Sequence, residues 1–178
     1  GSADQAYQPL GDLYLDFGHN KVSNYHRSLD ISKSLCRVSY TCNGVNYTRE
    51  YFASYPSQVI AMKIKADKPK AISFDASMGS VHPTAYLKSE HNMELVLSGQ
   101  APGFVSIRTL EQIEQKNYEQ KYPDLFDKDG NRKPFAKQVL YGDEVDGKGM
   151  FFEARIKVIA KGGEVKTDDN GIKIHGAD

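Results

Sequence analysis

The 178-residue sequence has no tryptophan, only two cysteines and no excess of either charge. Lys plus Arg and Asp plus Glu are each 23, so the formal net charge is zero. Surfaces that bind nucleic acid or anionic membranes normally need a basic excess, so the charge balance argues against both partners. No apolar run approaches the length of a membrane span, and no signal peptide is visible, so membrane insertion is not expected.

The two cysteines, Cys36 and Cys42, lie in a segment that the residue pattern predicts to be one strand. At about 3.3 Å per residue their Cα atoms would be roughly 20 Å apart, which is beyond the reach of a disulfide. Their spacing also matches no zinc-site signature. We therefore predict two free thiols that pack as small apolar side chains.

Alternation of apolar and polar residues dominates the chain and predicts antiparallel β-strands. Asn43-Gly44 is a strong hairpin signal, because both residues tolerate the positive φ of a type I′ turn. The segment 47–64 (YTREYFASYPSQVIAMKI) predicts two central strands joined by a bend at 55–57. Residues 18–28 are polar and rich in turn formers, and they predict a loop. Residues 150–158 predict the most regular strand of the chain.

Residues 99–148 interrupt this rhythm and predict one long excursion from the sheet, with a short helix at 108–121. Excursions of this length usually have a function or cover a sheet edge. The predicted fold class is mainly β, a large supersandwich-like antiparallel β-sandwich. We expect a tag remnant and flexible start over 1–6 and a single domain over 7–178, cut from a larger multidomain enzyme.

No catalytic, cofactor-binding or metal-binding residue is predicted from the residue pattern. The segment 127–131 resembles the start of a calcium loop, but its twelfth position is Gln138 rather than a carboxylate, so a charged turn is preferred. Asn46-Tyr47-Thr48 fits the glycosylation pattern but lies in a predicted strand. The histidines show no metal-site spacing; they are His19, His26, His82, His91 and His175.

Two features could suggest sugar chemistry. Four carboxylates in the first 50 residues are candidates for a glycosidase pair, although the sequence gives no reason to place any two at the required separation; they are Asp12, Asp16, Asp30 and Glu50. Eleven tyrosines and eight phenylalanines could supply flat rings for sugar stacking. Aromatic residues also fill β-sandwich cores, so the packing interpretation is preferred.

Arg49 and Glu50 are interpreted as an ion pair or as sheet-surface charges.

Several motifs, taken in order, resemble the N-terminal β-domain of glycoside hydrolase family 95, the α-L-fucosidase and α-L-galactosidase family, which is a family 65-like N-terminal domain. The motifs are 7–15 (YQPLGDLYL), 25–30 (YHRSLD), 44–56 (GVNYTREYFASYP), 58–60 (QVI), 149–154 (GMFFEA) and 174–178 (IHGAD). The resemblance implies a large sandwich that precedes an (α/α)6-barrel catalytic domain. The catalytic residues of such enzymes belong to the barrel, so none is carried over to this chain.

The expected function is therefore that of a non-catalytic N-terminal domain of a bacterial α-L-fucosidase-like enzyme. Its expected partners are the downstream catalytic domain of the same polypeptide and the glycan substrate of that enzyme. The family resemblance implies that the enzyme is exported to the periplasm or the cell surface. The alternatives are a free-standing carbohydrate-binding module and an assembly domain.

Overall fold

A computed structural model describes residues 7–91, 93–101, 103, 129, 131 and 149–178. Within these residues the chain forms eleven β-strands and no helix, which confirms the predicted mainly β class. The strands are β1 (Asp12–Asp16), β2 (Val22–Asp30), β3 (Leu35–Cys42), β4 (Val45–Ser54), β5 (Val59–Ala66), β6 (Ile72–Gly79), β7 (Tyr86–Glu90), β8 (Glu94–Gln100), β9 (Phe151–Lys157), β10 (Glu164–Asp168) and β11 (Gly171–Ala177). The predicted helix at 108–121 lies outside the described residues.

Three sheets contain these strands. One has the order β2-β3-β4-β5, the second β1-β6-β11-β10 and the third β7-β8-β9. In the first sheet each strand pairs antiparallel with the next strand along the chain. The second sheet brings together strands that are far apart in sequence.

The predicted hairpin at Asn43-Gly44 joins β3 to β4. Both residues have positive φ, at 50° and 72°, and the flanking residues Cys42 and Val45 are paired. A type I′ turn requires this backbone geometry. The β4–β5 bend also lies where the sequence predicts it, because Ser54 pairs with Val59. The predicted arrangement of the segment 47–64 is therefore confirmed.

The predicted loop at 18–28 was wrong for most of its length, because residues 22–30 form the nine-residue strand β2. Among the described strands, β2 lies at the edge of its sheet and pairs with β3 alone. Almost all of its residues are exposed, so backbone pairing holds it without an apolar face. Alternating hydrophobicity reports burial of one face and gives no signal for such a strand. The strand is also interrupted by a bulge between Ser23 and His26.

The second sheet contains a large share of the buried aliphatic side chains. Ile172 of β11 is paired with Ala76 of β6, and both are almost completely buried. β10 and β11 form an antiparallel pair. Gly163, which immediately precedes β10, has a φ of 70°. A Cβ at Gly163 would lie 2.5 Å from the carbonyl oxygen of His175, so this position has no room for a side chain.

The described chain divides into two compact units. The first comprises residues within Gly1–Asp12, Met78–Lys88 and Val96–Arg155, and the second comprises Leu13–Ser77, Ser89–Leu95 and Ile156–Asp178. The prediction of a single domain over 7–178 stays a prediction. Among the described residues, no helix is long and apolar enough to cross a membrane.

Candidate functional site

A dense group of aromatic and polar side chains lies on one face of the β3–β4 hairpin. Tyr40 and Tyr47 are directly paired across the two strands, and their rings stack with centroids 5.3 Å apart. Both side chains are almost fully buried, at 5% and 6% exposure. Arg49 follows Tyr47 by two residues, so its side chain lies on the same face of the strand. We call this the inner face of the sheet.

Residues from the β1–β2 connection cover this part of the inner face. The guanidinium carbon of Arg49 lies 3.8 Å from the ring centroid of Phe17, which is a cation–π contact. Phe17 stacks on Phe74 of β6 at 4.8 Å, and the ring of His19 lies 4.5 Å from that of Tyr47. We refer to Phe17, His19, Tyr40, Tyr47, Arg49 and Phe74 as the arginine–aromatic cluster.

The Tyr40 hydroxyl joins the polar groups of the cluster. Arg49 Nη2 donates to Tyr40 Oη at 2.5 Å, and Tyr40 Oη lies 2.9 Å from His19 Nδ1. Because the hydroxyl accepts from Arg49, it can donate its own proton to Nδ1 of a neutral imidazole. Tyr47 Oη donates to the carbonyl oxygen of Ala71 at 3.1 Å. Both buried tyrosines therefore have hydrogen-bonded hydroxyls, as buried phenols usually require.

Burial and a neighbouring positive charge favour neutral His19. Burial lowers the pKa of His19 below its ordinary value of 6.5, and the guanidinium of Arg49 lowers it further. Burial is also the main reason that the pKa of Tyr47 is raised. The buried Nε of Arg49 has no hydrogen-bond partner among the residues that the structure describes. In that part of the chain its charge is stabilised by the Tyr40 hydroxyl and by the rings of Phe17 and Tyr40, whose centroids lie 3.8 Å and 5.1 Å from the guanidinium carbon.

The chemistry of this cluster is that of a structural anchor. Hydrolysis of a glycosidic bond normally requires two carboxyl groups. No carboxylate takes part in the hydrogen bonds that the structure describes within the cluster. The cluster instead fastens the β1–β2 connection onto the hairpin. The sequence pattern placed Arg49 on the face of Tyr47, but its interpretation as an ion pair or surface charge was wrong, because it did not anticipate Phe17.

Glu50 does form an ion pair, on the opposite face of β4. Its Oε1 accepts hydrogen bonds from Arg37 Nε at 3.0 Å and Nη2 at 2.5 Å. These hydrogen bonds lower the pKa of Glu50. Half of the Arg37 side chain is exposed, at 53%, so the pair adds little stability.

The carboxylates considered for glycosidic chemistry are held by separate local contacts. Asp16 accepts a hydrogen bond from the backbone of Gly18 at 2.8 Å, and Asp30 accepts one from Ser32 at 2.7 Å. Together with the Glu50–Arg37 pair, these contacts do not join any two of the four. Asp12 begins β1. The structure therefore gives no support for a catalytic pair among them.

The remaining candidates also have local roles. His26 lies exposed on β2 opposite Ser39, and the buried His82 has its Nε2 3.1 Å from the carbonyl oxygen of Pro9. The side chain of Asn46 donates to Asp67 at 2.6 Å. In the described part of the chain, no group of three His, Cys, Asp or Glu residues could hold a metal ion. The calcium-like segment 127–131 lies outside it except for two isolated residues.

Comparison with known proteins identifies the family. The whole chain, residues 1–178, matches the family described as glycosyl hydrolase family 65, N-terminal domain. A stretch of 84 residues is 43% identical to Alpha-L-fucosidase 2 of Arabidopsis thaliana and covers 45% of this chain and 10% of that protein. The chain thus spans about a tenth of the length of this curated relative. The match confirms the resemblance drawn from the sequence motifs, and the chain belongs to the N-terminal domain family of glycosyl hydrolase family 65.

Proposed function

We propose that this chain is a non-catalytic N-terminal domain of an α-L-fucosidase-like glycoside hydrolase and packs against an (α/α)6-barrel catalytic domain of the same polypeptide. Membership of an N-terminal domain family supports this proposal. The similarity to Alpha-L-fucosidase 2 covers only 10% of that protein, so most of such a polypeptide lies outside the similar region. We expect the catalytic domain, the proposed partner of this chain, to lie in that remaining part of the polypeptide.

The observation that carries the proposal is an exposed apolar end of the β2-β3-β4-β5 sheet. The β2–β3 and β4–β5 turns lie at the same end, since Leu29 pairs with Cys36, Cys36 with Tyr51 and Ser54 with Val59. Large apolar side chains at this end are 52% to 86% exposed. We call these residues the apolar end; they are Leu29, Ile31, Tyr55, Val59 and Ile60.

The apolar end continues a buried face. Leu29 and Ile60 lie on the inner face, which also carries the buried Tyr40 and Tyr47, in rows of paired residues nearer the β2–β3 and β4–β5 turns. Clustered exposed apolar side chains usually mark an interaction surface, because they gain free energy when removed from water. A covalently linked domain meets such a surface at high effective concentration, so even a modest interface would stay closed. We therefore assign this end to the catalytic domain.

The first experiment measures hydrolysis of an aryl α-L-fucoside by the 178-residue chain and by the complete natural polypeptide that contains it. We expect turnover by the complete polypeptide and none above background by the 178-residue chain. Enzyme-like turnover by the 178-residue chain would contradict the non-catalytic assignment.

The second experiment tests the packing surface with Leu29→Ser/Ile60→Ser. In the complete polypeptide we expect a lower thermal midpoint and reduced fucosidase activity. In the 178-residue chain the midpoint should hardly change, because both side chains are already exposed. Ile159→Ser is the matched control, since this isoleucine is 88% exposed outside the apolar end. Equal effects of the double variant on both proteins would refute the packing proposal.

We also propose a bacterial source and an exported location, in keeping with the expected role in breaking down external glycans. Fractionation of cells that express the natural gene tests this location. Recovery in the cytoplasm would contradict it.

A further inference from the structure

A groove in the first compact unit combines exposed aromatic rings with polar side chains. It crosses β7, β8 and β9, which are neighbours in one sheet, and has a volume of about 470 Å³. This volume lies within the range of ordinary small-molecule sites. Its lining includes the side chains of Thr84, Tyr86, Ser98, Gln100, Phe151 and Glu153.

Gly99 and Phe152 also line the groove, and their contact shows which of the neighbouring side chains share a face of the sheet. A Cβ at Gly99 would lie 2.5 Å from the ring of Phe152, so this ring occupies the space above the glycine. Neighbouring residues of a strand point to opposite faces, so Gln100 and Phe151 point away from that contact. Glu153 follows Phe151 by two residues and therefore shares its face. The Phe151 ring, the Glu153 carboxylate and the Gln100 amide therefore share one face of the sheet.

The aromatic rings of the groove are open to solvent. Tyr86 is 59% exposed and Phe151 is 79% exposed. Removing such rings from water is favourable, and a flat ring offers an extended apolar surface to a flat ligand. These two side chains lie on different outer strands of the three-stranded sheet. They can therefore bracket a ligand that lies across β8.

The polar groups are held in place by their neighbours. Glu153 Oε1 accepts a hydrogen bond from Arg155 Nε at 2.6 Å, and the Glu153 side chain keeps 48% exposure. Gln100 Nε2 donates to the carbonyl oxygen of Gly149 at 2.8 Å, which orients the amide. A carboxylate fixed by an arginine can still accept hydrogen bonds from ligand hydroxyls at its second oxygen.

We propose that this groove binds a neutral oligosaccharide, with its pyranose rings stacked on Phe151 and Tyr86 and its hydroxyls donating to Glu153. A pyranose offers both an apolar face and vicinal hydroxyls, and this is the combination that the groove presents. A purely apolar ligand would leave the Glu153–Arg155 pair without compensation for lost water. The choice of a glycan rests on the proposed function, whereas the groove itself does not.

The test is a titration of the 178-residue chain with 2′-fucosyllactose and, separately, with maltotriose, followed by amide NMR shifts. We expect saturable shifts around residues 86, 98–100 and 151–153, with a Kd on the order of 1 mM for at least one of the two glycans. Phe151→Ala and Tyr86→Ala should each weaken binding about tenfold, the loss of roughly 1.4 kcal/mol. Glu153→Gln should also weaken binding.

The matched control is Tyr55→Ala, because Tyr55 is also open to solvent, at 86% exposure, but lies in the β4–β5 turn. It should leave the Kd unchanged. Circular dichroism and thermal midpoints must show that all variants are folded, which their exposed positions favour. No saturable shift up to about 50 mM glycan, or binding that folded Phe151→Ala leaves intact, would overturn the proposal.

The two proposals fail in different ways. If no glycan binds but Leu29→Ser/Ile60→Ser still destabilises the complete polypeptide, the groove assignment falls and the packing role stands. If glycan binds the groove but the double variant leaves the thermal midpoint and activity of the complete polypeptide unchanged, the packing role is refuted instead.

Discussion

Arg49 places its guanidinium 3.8 Å from the ring centroid of Phe17, and this contact joins β4 to the connection that follows β1. The same guanidinium donates to the hydroxyl of Tyr40. One charged side chain therefore stabilises two separate parts of the second compact unit. Lysine could not reproduce the contact, because a planar guanidinium can stack and donate at the same time.

Removal of this side chain should cost much more than removal of a comparable surface arginine. We expect Arg49→Gln to lower the free energy of unfolding by about 2 kcal/mol, the sum of a half-buried cation–π contact and a hydrogen bond to a buried hydroxyl. Arg37→Gln is the matched control on the opposite face of the same sheet. Because half of the Arg37 side chain is exposed, loss of its pair with Glu50 should cost much less than loss of Arg49. Urea denaturation measures both changes, and equal losses would contradict the anchoring role of Arg49.

The stability of the chain should fall as the pH drops below about 6.5, in part because of His19. The folded state lowers the pKa of His19 below 6.5, so the unfolded chain takes up a proton first as the pH falls. The stability that depends on neutral His19 is therefore complete above pH 6.5 and is lost as the pH falls through the lower folded pKa. Urea unfolding between pH 5 and pH 8 measures this dependence.

One substitution isolates the contribution of His19 to this pH dependence. His19→Gln should flatten the stability curve between pH 5 and pH 7, since glutamine does not titrate. An unaltered slope in His19→Gln would show that other groups cause the acid sensitivity.

The sequence predicts this fold best where local chemistry determines the backbone. Asn43 and Gly44 adopt the positive φ that their type predicts, and the β3–β4 register follows from that turn. β2 could not be found in this way, because an exposed edge strand needs no apolar face. The arginine–aromatic cluster was missed for another reason. Phe17 and Arg49 meet only through the tertiary fold, and the sole signal in the sequence was a charge on the same face as Tyr47.

Alanine substitutions in the turn before β10 should separate the energetic cost of a strained backbone from that of a steric clash. Gly162 and Gly163 have φ values of 68° and 70°, so alanine at either site pays for a left-handed conformation, about 1 kcal/mol. Only at Gly163 would the new methyl group also meet backbone, 2.5 Å from the oxygen of His175. We expect Gly163→Ala to cost about 3 kcal/mol or more and Gly162→Ala about 1 kcal/mol. Thermal or urea unfolding compares them, and similar values would argue against the tight contact.

The two free thiols should react at different rates. Cys42 is 3% exposed and packs with Tyr40 and Tyr47, whereas Cys36 is only partly buried. In the native chain we expect a thiol reagent to modify one cysteine quickly, and both only after unfolding. Cys36→Ser should abolish the fast phase. Two fast thiols in the native wild type would show that the inner face around Cys42 opens readily.

The order of strands in the two larger sheets has a consequence for synthesis. The sheet β2-β3-β4-β5 pairs only neighbours in sequence, so each hairpin can close as soon as its second strand has left the ribosome. The sheet β1-β6-β11-β10 needs β11 beside β6, and β11 is the last strand of the described chain. A nascent chain whose first 100 residues have left the ribosome would thus carry a complete meander and a second sheet that still lacks two strands. Protection from protease should therefore appear first over β2 to β5, and only much later over β1 and β6.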